Sequence, residues 1–98
     1  MQRPNLLDND SINIALSNVV DWKLDTKQII KEFVCSNYAA AVGFINSIAV
    51  FAESMDHHPE ILHYGWNKLR ITITTHDMGG LTELDFKLAE KIDSIKIY

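Results

Sequence analysis

The chain has 98 residues, 47% of them hydrophobic and 22% charged, which is one ordinary globular domain's worth rather than a disordered segment. Thirteen acidic residues against nine basic ones leave a net charge of −4, and the Lys and Arg residues are scattered. That excludes the concentrated positive face that nucleic acid or an anionic membrane surface requires. The single Cys35 rules out an internal disulfide, fits a reducing, cytoplasmic setting, and reads first as a small apolar filler.

The opening stretch "MQRPNLLDND" shows no apolar run of the secretory-signal kind. Residues 8–19 carry Ile12, Leu16 and Val19 at helical spacing behind Asp8 and Asp10, acids suited to a helix N-terminus. They predict a first helix, with a start as early as residues 4–7 also open. Next, "VVDWKL" alternates, placing Val20, Trp22 and Leu24 on one face, and "QIIKEFV" places Ile29 and Phe33 together. With Asp25-Thr26-Lys27 between them, these segments predict a hairpin.

Residues 38–55 give the clearest signal. Ala41, Phe44, Ile45, Ile48, Ala52 and Met55 recur at intervals of three and four, the pattern of a helix with one buried face. Ser36 or Asn37 suits its N-cap, and Pro59 is expected to end it. The near-apolar part, residues 38–52, is broken by Asn46 and Ser47 and reads as too short and too polar to span a bilayer. A third strand is expected over residues 60–66. In the fourth, "KLRITITTH", Leu69, Ile71 and Ile73 face one way and Arg70, Thr72 and Thr74 the other. Period two puts His76 on the polar face if the strand runs that far. After a turn at "MGG", residues 82–97 predict a last helix with Leu84, Leu88 and Ile92 or Ile95 inward and a capping box at Thr82 and Asp85. The order α-β-β-α-β-β-α describes an α+β, two-layer fold, a four-stranded antiparallel sheet with three helices on one face. Residues 1–98 form a single domain on this reading.

Three of the four histidines, His57, His58 and His63, fall within seven residues. A hairpin of the third and fourth strands would return His76 to the helix end, near His57, His58, Asp56 and Glu53. Acid/base work suits imidazole, which titrates near neutrality, and Glu53 lies four residues before His57 on one helical face. A metal site is the second possibility, although adjacent histidines aim poorly at one ion and no HExxH or CxxC spacing occurs. The third is a polar helix terminus, where the dipole favours histidine. His63 reads as solvated surface, Trp22 as core, Gly79-Gly80 as a turn and Asp85 as a capping residue.

"AESMDHHPE" followed by "TTHDMGGLTELD" resembles the pterin-4a-carbinolamine dehydratase family, and the likeness runs from about Trp22 to Ile92. The spacing between His58 and His76 is one residue longer than in some members, which falls in the loop near His63 to Asn67. The resemblance implies an antiparallel four-stranded sheet with helices on one side. It also implies loss of water from a 4a-hydroxytetrahydropterin in tetrahydrobiopterin recycling, with no metal and no redox cofactor. By position, His57, His58 and His76 match the family's three active-site histidines. Glu53 and Asp56 would orient those histidines, Thr75, Asp77 and Met78 would line the pterin substrate, and Pro59 belongs to the same binding and orienting set. The resemblance further implies a homodimer or homotetramer. Some relatives act instead as dimerisation cofactors of a transcription factor, the alternative function here.

Overall fold

The computed structural model describes residues 4–96. Its elements run α1 (Asn9–Ser17), β1 (Lys23–Asp25), β2 (Gln28–Val34), α2 (Tyr38–Met55), β3 (Glu60–Tyr64), β4 (Lys68–Ile73), a 3-10 turn (His76–Met78) and α3 (Glu83–Asp93). The strands form one antiparallel sheet in the order β1-β2-β4-β3. Sequence order and observed order therefore agree.

Register decides which side chains meet the helices. Ile29 pairs with Ile73, Phe33 with Leu69 and Ile61 with Ile71, so one sheet face is a continuous apolar floor. On it lies α2, whose Ala41, Phe44, Ile48 and Ala52 are buried, as the spacing of its apolar residues predicts. Phe33 joins the two layers, edge-on to Phe44 at 4.9 Å and to Trp22 at 6.3 Å. From α3, Phe86, Leu88, Ala89 and Ile92 complete the core, with Leu84 only half-buried. Cys35 is buried, and burial pushes its thiol pKa up, as befits an apolar filler.

Several boundaries differ from the sequence expectation, each for a local reason. No helix occupies residues 4–7; Leu7 instead donates its N–H to the Leu81 carbonyl at 2.9 Å. Asp8 caps α1 by accepting the Ser11 N–H, which holds its carboxyl below the usual range. Val20, Trp22 and Leu24 do not share a buried face. Asp21 takes a left-handed φ of 64°, which breaks the alternation, so Trp22 is buried while Val20 and Leu24 are exposed. Trp22 Nε1–H then donates to Asp93 at 3.0 Å, and Lys31 donates to the same carboxylate at 2.8 Å.

The last helix begins after Thr82, as its capping box requires, and closes at Asp93; residue 97 lies outside the described residues. At 18 residues α2 is long and apolar enough to cross a membrane by length and composition, contrary to the sequence expectation. Here it packs on the sheet through its buried stripe. Its end is set earlier than Pro59. Asp56 adopts left-handed angles (φ 49°), its N–H bonding the Glu53 carbonyl while His57 N–H bonds that of Ala52. This pair of bonds is a Schellman motif built on an aspartate instead of glycine.

Candidate active site

That helix stop aims the two adjacent imidazoles in different directions. His57 turns into the protein and is only 4% exposed, with Nε2 at 2.7 Å from Oδ1 of Asp85. His58 turns outward, its side chain 56% exposed, and donates from Nε2 to Glu53 at 3.2 Å. Glu53 thus pairs with His58 and not with His57. The left-handed step at Asp56 takes the chain off the helical path, so the four-residue spacing no longer sets the neighbour.

On the opposite side the chain leaves β4 at Ile73. Thr75 bridges to Gly80, and the segment between them coils into the 3-10 turn, closed by Gly79 at a φ of 72°. His76 therefore stands on a turn and not on the polar face of a strand. Its imidazole is 71% exposed and lies 4.0 Å from Glu60. Gly80 packs closely under Leu6: a Cβ there would come within 3.1 Å of the end of that side chain.

Between the helix end and this turn lies a small cleft of about 150 Å³, lined by Asp56, His57, His58, Thr74, His76 and Asp77. It gathers the three histidines and two of the acids singled out in the sequence. Glu53 stands at its rim through His58, while Pro59 and Met78, both half-buried, are outside the lining. Thr75 is outside it too: fully buried, it bonds Thr82 and Asp85, and Thr74 takes the place at the wall. A larger hollow of about 450 Å³ opens among Asp21, Lys23, Asp25, Ile30, Lys31 and Glu32. No imidazole reaches it, so proton chemistry favours the smaller cleft.

Asp85 is the residue that sequence reading undervalued. It completes the capping box by accepting the Thr82 N–H at 2.8 Å, as expected, yet a carboxylate has two oxygens and the other faces His57. One signal was available. Position 85 shares the helix face of Leu88, Ala89 and Ile92, and an acid on a buried stripe demands a polar partner. His63 has a structural place: Nε2–H donates to the Trp66 carbonyl at 2.6 Å, and the ring packs on Tyr38.

The fold and these residues meet in the comparisons with known proteins. The chain belongs to the pterin 4 alpha carbinolamine dehydratase family, whose sequence model matches residues 5–95. A protein of Metallosphaera sedula, provisionally named a pterin-4-alpha-carbinolamine dehydratase, is 36% identical over 85 residues, covering 87% of this chain and 88% of that one. A solved structure, a transcriptional coactivator/pterin dehydratase from Brucella melitensis, matches with a TM-score of 0.86 at 35% identity, over 92% of this chain and 97% of its own. A pterin dehydratase-like protein described as a RuBisCO assembly factor of the alpha-carboxysome shares the fold, with a TM-score of 0.60 at 23% identity over 74% and 83% of the two chains.

Proposed function

We propose that this protein is a hydro-lyase that dehydrates a 4a-hydroxytetrahydropterin to the quinonoid dihydropterin and water, by histidine acid/base catalysis. The observation that carries it is the convergence of His57, His58 and His76 on one cleft, with a buried carboxylate behind His57. Dehydration needs two proton movements: the 4a-hydroxyl must leave as water, and N5 must lose its proton to form the new double bond. Two imidazoles on either side of the cleft suit that pair, because an imidazole ring can both give and take a proton. His57 and His76 take these two roles, and His58, held by Glu53, positions the ring system. Asp56 and Asp77 offer acceptors to the pterin's N–H groups at the cleft wall.

No step in this scheme calls for a metal or a redox cofactor. Stopped-flow dehydration of synthetic 4a-hydroxytetrahydropterin is therefore expected to proceed at the same rate before and after treatment with a chelator. Loss of activity on chelation, restored by added zinc, would contradict the imidazole scheme. Assembly into dimers or tetramers in the cytoplasm belongs to the same proposal. Tyr38, Val42 and Val50 on the outer side of α2 support it, being large and apolar yet exposed in the single chain.

The same surface favours a second reading. The Brucella melitensis relative is described as a coactivator as well as a dehydratase. A protein whose α2 face binds a transcriptional regulator would retain that binding after the histidines are replaced.

A further inference from the structure

Each polar contact of Asp85 has a direction. An ionised carboxylate accepts hydrogen bonds and donates none. Oδ2 accepts the Thr82 backbone N–H and the Thr75 hydroxyl, both at 2.8 Å. Thr75 has one hydroxyl proton, so its 2.8 Å contact with Thr82 Oγ1 must be donated by Thr82. Thr82 Oγ1 in turn accepts the Leu84 N–H at 3.3 Å. Every proton in the chain runs toward Asp85. Oδ1 is left for His57, and at 2.7 Å the imidazole must carry its proton on Nε2.

The other ring nitrogen is then bare. Among the described residues no buried side-chain nitrogen or oxygen lacks a hydrogen-bond partner. Nε2 is the ring atom committed to Asp85, so Nδ1 is the one left for the cleft that His57 helps to line.

We infer that Asp85, held in place by Thr75 and Thr82, is a positioning residue that fixes His57 as the Nε2–H tautomer and makes Nδ1 its proton-transfer atom. For the dehydratase step the inference rests on the function proposed above. There Nδ1 takes the proton that leaves N5, the ring becomes an imidazolium facing Asp85, and the proton returns to solvent from the same atom. In the opposite tautomer Nδ1 already carries a proton and cannot accept one.

Long-range proton–nitrogen correlation spectra of the ¹⁵N-labelled protein read the tautomer without any substrate. They are best taken near pH 8, above the ordinary imidazole titration at roughly 6.5. The expected spectrum has the His57 proton on Nε2; a neutral ring protonated on Nδ1 overturns the inference. Asp85→Asn sharpens the test. The two donors at Oδ2 hold the new amide oxygen there, so the amide NH₂ faces Nε2 and the tautomer inverts. The expected kinetic result is a loss of kcat of about 10²- to 10⁴-fold with little change in KM. A wild-type kcat in this variant overturns the inference. Thr75→Val is expected to lower kcat and Thr75→Ser to restore it; equal rates in both remove Thr75 from the device. Should Asp85→Asn fail to fold, the wild-type spectrum still decides. An Nε2–H tautomer in a protein that leaves 4a-hydroxytetrahydropterin untouched sustains the positioning role and overturns the dehydratase assignment instead.

Discussion

His57 and His58 are neighbours in the chain with opposite surroundings, one walled in beside Asp85 and the other on the surface beside Glu53. Environment separates their work more than residue type does. A surface imidazole held by one exposed carboxylate adds modestly to binding, because its charge is screened and its side chain still moves. His58→Ala is therefore expected to raise KM several-fold while kcat stays within about threefold of wild type, the pattern of lost uniform binding. Steady-state kinetics over a range of pterin concentration check this, and a fall in kcat at unchanged KM would place His58 in the chemistry itself. At this scale the sequence singled out imidazoles that the structure brings to one cleft, and it hid their partners. Glu53 and His57 are four residues apart, yet the left-handed Asp56 redirects the chain between them. Asp85 was legible as a cap because capping is local, whereas its bond to His57 spans 28 residues.

Element boundaries follow backbone conformations that side-chain periodicity does not report. β2, α2 and the start of α3 match their predicted limits, since each has strong periodicity and a side-chain cap or a clear polar break. β1 shortens to three residues and β4 stops at Ile73, because Asp21 and the turn around His76 leave the extended region. The β1–β2 turn carries strain of its own. Asp25 pairs with Gln28, and Thr26 between them holds a φ of 58° that a β-branched residue adopts unwillingly. Left-handed angles cost an ordinary residue about 1–2 kcal/mol, and glycine's extra freedom in the unfolded chain returns about 0.4–1 kcal/mol of that. Thr26→Gly is thus expected to stabilise the fold by about 0.5–1 kcal/mol, read as a higher urea midpoint at unchanged slope. A lower midpoint would mean that the threonine's own contacts outweigh its backbone strain.

Over the whole molecule, one face of the sheet carries α2 and α3 while the other carries an exposed polar cluster in which Tyr64 and Arg70 both donate to Glu32 at 2.6 Å. The Tyr64 hydroxyl, then Arg70, hold the Glu32 carboxyl below its ordinary 4.5, and Glu32 in return raises the Tyr64 phenol above 10.0. A carboxyl lowered in the folded state stabilises it above the unfolded value, and that gain is lost as pH falls through the lowered one. The phenol works the other way: its contribution is present below the ordinary value and lost as pH rises through the raised one. Glu32→Gln is accordingly expected to be less stable than wild type at neutral pH, by a small margin for so exposed a cluster. The margin should close toward acid below 4.5 and again toward alkali above 10.0. Urea midpoints measured across pH test it, and a gap independent of pH would contradict it. None of Glu32, Tyr64 and Arg70 lines the cleft, so this change in stability is made away from it. The most direct test of the central claim is single-turnover dehydration of 4a-hydroxytetrahydropterin by the wild type, His57→Ala and His76→Ala. The expected result is catalysis by the wild type and a loss of at least about 10²-fold in each variant. Unchanged rates in both folded variants would contradict the assignment of this cleft as a pterin dehydration site.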